Sequence, residues 1–352
     1  MNITFLVGNG FDLGVGLKTK YTDFYKLYIN DKTQSDLLGS MIKENYTTWS
    51  DLETALGECL NEIEYKNRDK FLESKYNLEI ALAEYLEMQE SRIDYKSHEE
   101  MIMESFSNTL NTFMDNLPKT EKDKVINTIF SAQNETLQFL FITFNYTSVL
   151  DKCIDIIKNN NKFLKPYYGN IVPKIGSINH IHGSTDLEMI LGVNDESQIS
   201  NLEFANDMEF NEIMIKYKLN TSIAQDKIRI VEQTINSSAV VVIYGMSIGR
   251  TDNYWWKYIA NWLNGTGLRK LIICTYEEED NKRKHPYRTI IARNRILNMF
   301  FERSQVNEKL QEKLKEQIFI VRNPKNMFSF NLVDNNLDNE ITNEVAISEN
   351  IG

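Results

Sequence analysis

Apolar residues fall into two rhythms along this chain. Short, mainly apolar runs of four to seven residues mark strands buried on both faces, as in a parallel sheet. Ile3 to Val7 is the first and ends at Gly8. Gln138 to Phe144 (QFLFITF), Ile178 to Ile181, Ala239 to Tyr244 (AVVVIY), Lys270 to Thr275 (KLIICT) and Gln317 to Val321 (QIFIV) read the same way. Glu188 to Val193 reads as a further strand, ending at Asn194 and Asp195. Between them apolar residues recur every three or four positions, the period of amphipathic helices. Such stretches are Thr147 to Asn159, Ser222 to Ile235, Asn253 to Leu263 and Tyr287 to Arg303. From about Asn30 to Asn134 the helical rhythm has no strand in it. Trp49, Leu52, Leu56 and Leu60 carry it first, then Leu78, Leu82, Tyr85 and Leu86, then Met103, Phe106, Leu110 and Phe113, until Pro118 interrupts.

Strands alternating with helices predict an α/β fold, a Rossmann-like, mainly parallel sheet with a large helical insertion. The expected division is a nucleotide-binding domain from 1–29 and 135–325, a helical insertion over 30–134, and an acidic tail over 326–352 rich in Asn, Asp and Glu.

Composition narrows the function classes. In 352 residues, 39 basic side chains face 50 acidic ones, a formal charge of −11, which disfavours a uniformly attractive surface for nucleic acid. The exception is Asn281 to Arg295 (NKRKHPYRTIIARNR), a locally basic stretch suited to a phosphate, an acidic partner or nucleic acid, or simply to a solvated helix start. Cys59, Cys153 and Cys274 have neither paired spacing nor nearby histidines, so a zinc site is not expected and a reducing compartment fits. No apolar run has membrane-spanning length, and the first residues lack a signal-peptide pattern, so a cytoplasmic location is expected.

In open α/β sheets ligands bind beyond the carboxyl ends of the strands. Four polar groups occupy such ends. Gly8-Asn9-Gly10-Phe11-Asp12 follows the first strand, and its small residues suit close approach of a phosphate or merely a tight turn. Phe144-Asn145-Tyr146-Thr147 ends another, where Asn145 is a ligand or a helix cap. His180-Ile181-His182-Gly183 places two histidines at strand spacing, on one face, without a third metal ligand. Gly245 to Asp252 precedes an aromatic helix. Gly245 and Ser247 suit a phosphate or ribose there, and Asp252 suits a ribose hydroxyl or the helix cap. The cluster of Tyr254, Trp255, Trp256, Tyr258 and Trp262 reads as core or interface.

Taken in order, these groups resemble the AbiH family of bacterial phage abortive-infection proteins. The opening LVGNGFDLGVGLKTKYTDF (Leu6 to Phe24), Trp49-Ser50-Asp51-Leu52-Glu53, FNYT, IHG and the Gly245 to Asp252 run carry the resemblance, which extends from Leu6 to about Trp256. The same order is similar to the sirtuin-like NAD-binding domains of phage-defence NADases. That similarity implies Asn145 and His182 as a catalytic pair, with Gly8, Asn9, Gly10, Phe11, Asp12, Gly245, Ser247 and Asp252 lining the nucleotide. The chain departs from the pattern in its GNGFD loop, in Thr147 where many relatives have Asp, and in lacking a zinc-binding cysteine quartet.

The implied activity is hydrolysis of the bond between nicotinamide and ribose in NAD, with NAD as substrate and no metal. His182 would take a proton near neutral pH, and Asn145 would hold ribose or water without adding charge. Two other readings stay open: a nucleotide-binding sensor or scaffold without turnover, and an effector acting on nucleic acid through 282–295. A phage-derived trigger, a partner defence protein and a homo-oligomer are the further partners considered.

Overall fold

The structure is a computed structural model and describes residues 1–30, 36–130, 136–160, 164, 166, 171–223, 226–276 and 286–333. Six strands form one sheet: β1 (Asn2–Val7), β2 (Gln138–Thr143), β3 (Lys174–His180), β4 (Ser238–Tyr244), β5 (Lys270–Thr275) and β6 (Ile318–Arg322). All five pairings are parallel, in the order β3-β2-β1-β4-β5-β6. The chain therefore winds outward one way from β1 and then the other way from β4. All six carboxyl ends share one rim, and the winding reverses between β1 and β4.

Alternation of side chains divides the core into two layers, because successive residues of a strand face opposite sides. Phe5, Phe141, Val242 and Ile272 pack on one face beneath the helices Glu99–Thr112, Lys119–Phe130 and Val149–Asn159. Leu6, Ile142, Val241 and Ile273 pack on the other, against Lys227–Asn236, Asn253–Gly265 and Pro286–Ser304. The tryptophans 255, 256 and 262 belong to this second layer, as their helical spacing suggested.

The long helical region between β1 and β2 has two fates. Ile102, Phe106, Leu110, Phe113 and Val125 join the sheet's own core. The earlier helices, Tyr21–Tyr28, Leu37–Glu44, Leu52–Glu58 and Arg68–Glu90, form a separate apolar cluster, completed by Phe204, Phe210 and Met214 from between β3 and β4. Tyr146, just past β2, packs into the same cluster, which puts this helical cap at the carboxyl rim of the sheet.

Two expectations are corrected. Glu188 to Val193 is not a strand: its residues make one isolated parallel bridge, Val193 to Ile215. The apolar positions Ile190, Leu191 and Val193 are fully buried, so their pattern reflects burial in the cap rather than pairing in the sheet. The tail expected from 326 begins inside the fold. Met327, Phe328, Phe330, Leu332 and Val333 are buried in the sheet's core, because an apolar residue at nearly every second position outweighs the surrounding Asn and Asp. The rest of that segment, 334–352, and positions 281–285 of the basic stretch lie outside the described residues. Among the described residues, no helix is long and apolar enough to cross a membrane.

Candidate functional site

The four polar groups converge. Gly8, Asn145, His182 and Ser247 follow β1, β2, β3 and β4, and all line one cavity of about 300 Å³. Its floor is the rim where the winding reverses. Its roof comes from the cap, through Tyr21, Asp51 and Glu53.

Asp12 anchors the floor. It is 1% exposed and accepts hydrogen bonds from Asn145 Nδ2 (3.0 Å) and Thr147 Oγ1 (2.6 Å). Burial raises its pKa to about 7, against the opposing pull of those two hydrogen bonds. The bond to Asp12 also fixes the Asn145 amide. With Nδ2 committed, the carbonyl Oδ1 is buried without a hydrogen-bond partner among the described residues. Asn145 is therefore an acceptor awaiting a donor rather than a helix cap. Thr147, where the resemblance leads one to expect Asp, is the second donor to Asp12.

The histidines separate. His180 meets Asp151 through Nε2 (2.8 Å) and two carbonyls, of Asn145 and Gly183, through Nδ1. Acceptors on both nitrogens require two N–H groups. Burial opposes that charge, but the Asp151 carboxylate outweighs it and raises the His180 pKa. This histidine is a cationic clamp joining the ends of β2 and β3. His182 turns instead to Asp252, with Nε2 3.0 Å from Oδ1. The two rings thus turn to different partners. Among the described residues, no group of three or more His, Cys, Asp or Glu is placed to hold a metal ion.

Asp252 does not cap the helix that it precedes; its side chain is taken by His182 and by Lys216 Nζ at 2.7 Å. Burial would raise its pKa, yet Lys216 and His182 pull it well below the usual carboxylate range. An ionised Asp252 accepts only, so Nε2 of His182 is the protonated nitrogen. In the neutral ring Nδ1 then carries the lone pair, and it is buried without a partner among the described residues. Lys216 also bonds Glu53 Oε2 at 2.7 Å. Burial works against the ammonium, but Asp252 and Glu53 hold its pKa above the usual lysine range. Burial likewise raises the Glu53 pKa, with Lys216 opposing. Glu53, Lys216, Asp252 and His182 make one buried chain of charge.

Of the two readings of the first glycine turn, close approach of a phosphate or a tight turn, the contacts fit the turn. A Cβ on Gly10 would lie 2.5 Å from Gly245 Cα, and one on Gly245 2.8 Å from the Phe11 nitrogen, with Gly245 already at φ +68°. The turns after β1 and β4 are interlocked backbone to backbone. Gly8 N–H donates to Tyr244 O, Gly10 N–H to Gly245 O and Phe11 N–H to Gly8 O, so these donors are not available to a phosphate. Gly10 and Phe11 do not line the cavity: the first is locked against Gly245, and the second packs in the sheet's core against Phe106 and Phe328. Asn9 lines it, but its side chain is bonded at both ends to Thr19. Gly8, Asp12, Gly245, Ser247 and Asp252 do line it, with Asn145 and His182.

The family described as Bacteriophage abortive infection AbiH matches residues 4–274, more than three quarters of the chain and every residue of this site. The chain belongs to the AbiH family. Its role is thus in abortive infection directed against bacteriophage. Among curated proteins, none matches the chain. The AbiH match runs from β1 to within β5 and takes in the whole helical cap, Glu53 and Lys216 included.

Proposed function

We propose that this AbiH protein hydrolyses the N-glycosidic bond of a nicotinamide nucleotide, releasing nicotinamide during phage infection. The observation that carries the reading is that Asn145, whose buried Oδ1 is unpartnered among the described residues, and the Asp252-set His182 line the same cavity at the point where the sheet's winding reverses. The strand order is that of dinucleotide-binding Rossmann folds, which bind ligands at that crevice. This supports a sirtuin-like core. The cavity volume lies at the lower end of the roughly 300–1,000 Å³ usual for ligand pockets, enough for a nucleoside-sized group.

The chemistry needs little acid catalysis, because nicotinamide leaves as a neutral ring from a cationic one. The C1′–N bond breaks with its electron pair going to the ring, positive charge spreads over C1′ and the ring oxygen, and a water oxygen forms the new bond to C1′. Asn145 Oδ1 accepts from a ribose hydroxyl or from that water. His182, turned by Asp252, takes the proton that the water or a ribose hydroxyl gives up. The carboxylates around the cavity stabilise the developing cation electrostatically.

The test is release of free nicotinamide by the purified full chain incubated with NAD, with and without phage lysate. We expect release in at least one condition, lowered 100-fold or more by His182→Ala and by Asn145→Ala with the circular dichroism spectrum kept. NAD bound but intact in every condition would replace the hydrolase reading with that of a nucleotide sensor.

A further inference from the structure

The charge of the cavity wall specifies its ligand further, granted the hydrolase reading above. Four carboxyl side chains line it: Asp12, Asp51, Glu53 and Asp252. Among the described residues, no lysine or arginine does. The ammonium behind it, Lys216, is divided between Glu53 and Asp252. Two backbone donors of the first glycine turn, Gly8 N–H and Gly10 N–H, are spent on the neighbouring turn. A diphosphate inside this space would meet acidic groups and no uncommitted cation among them.

The buried polar atoms without partners tell the same story from another side. Asn145, 6% exposed, offers a carbonyl oxygen, and His182, 4% exposed, offers a ring lone pair. Asn145 Oδ1 is an acceptor, and so is His182 Nδ1 in the neutral ring, so both suit hydroxyl or N–H donors. Acceptors beside net negative charge suit a vicinal diol attached to a cationic ring.

We propose that the cavity selects a cationic N-riboside and makes no use of a diphosphate, so that nicotinamide riboside on its own is a ligand. Selection by charge is then separable from turnover. The ribose hydroxyls meet Asn145 and His182, the pyridinium lies among the carboxylates, and any nucleotide extension lies outside the cavity.

Calorimetry on the full chain tests this with three probes. The first is the carbocyclic analogue of nicotinamide riboside, which keeps the cation and the diol but cannot be hydrolysed. The second is its neutral dihydro form, and the third is ADP-ribose, which has the diphosphate and no cation. The cationic analogue should bind at least ten-fold more tightly than the neutral one, and ADP-ribose no more tightly than the neutral one. Asp51→Asn keeps a good helix cap, since Asn serves as well as Asp at that position. It should weaken the cationic analogue about three-fold and leave the neutral one unchanged. Tighter binding of ADP-ribose, equal binding of the charged and neutral analogues, or no binding of the cationic analogue would each overturn the proposal. NAD cleavage without riboside binding would leave the hydrolase standing and remove only this inference. Charge-selective riboside binding without NAD cleavage would do the reverse.

Discussion

Asp12 is the residue on which the floor of the site turns, and its protonation has a measurable consequence. The ordinary carboxyl value of 3.8 is raised to about 7 in the folded chain. Folding therefore favours the protonated form. The associated stability is fully present below pH 4 and is lost as pH rises through 7. At about 1.4 kcal/mol per unit, the difference across that window is on the order of 4 kcal/mol. Asp12→Asn keeps an acceptor for Asn145 and removes the titration. Denaturant unfolding at pH 5 and pH 8 should show wild type losing more than about 1 kcal/mol relative to this variant; parallel pH curves would refute the assignment. Much of the site at this scale was legible from strand ends. Asn145, His182 and Ser247 each lie within three residues of the end of a strand, and the rule that ligands gather there located them. Glu53 carries no signal beyond its place in the Trp49 to Glu53 motif, and Lys216 opens a helix like any solvated lysine. Nothing in a linear pattern says that an ammonium from between β3 and β4 will meet a carboxylate from the segment after β1.

At the scale of elements, the turns after β1 and β4 behave as one part. Gly10 and Gly245 approach so closely that neither tolerates a side chain without moving the other's backbone. Gly10→Ala should cost about 2–4 kcal/mol, read from denaturant unfolding, and should weaken ligand binding as Asp12 shifts with its helix. Gly14→Ala is the control: its nearest contact would be an ordinary 3.9 Å, and stability should change by less than about 1 kcal/mol. An unchanged Gly10→Ala protein would mean that the interlock is looser than its geometry. A GxG after a strand signals a close approach, but not what approaches; here it is the other turn. Five of the strands were readable because each carries a run of apolar residues between helices; β3, KIGSINH at the sheet's edge and partly exposed, has no such run, and only its last residues fall in the expected segment. Glu188 to Val193 carries the same signal for another reason, since burial beneath the cap selects apolar residues as strongly as burial in a sheet.

For the whole molecule, the segment around Phe328 closes the core. Phe328 packs on Phe5, Phe11, Phe106 and Tyr244, linking β1, the helix that carries Asp12, the inserted helical region and β4. Its backbone N–H bonds Thr109, and Leu332 N–H bonds Val15 O. Phe328→Ala should lower stability by about 3–5 kcal/mol, measured by chemical denaturation, although it lies on the side of the sheet away from the charge chain. A loss below about 1 kcal/mol would show that the segment only rests on the fold. The Asn- and Asp-rich sequence masked this role, since composition averages over a window while burial is decided residue by residue.

Lys216 joins three stretches of chain that are far apart in sequence. Glu53 comes from the cap, the lysine from between β3 and β4, and Asp252 from the turn past β4. Lifting the cap would strip this ammonium of one counter-charge inside a dry interior, a step that typically costs several kcal/mol. The same step would change the field felt by the aspartate that sets the imidazole. The seating of the cap and the electrostatics around His182 are thus tied together through one nitrogen atom.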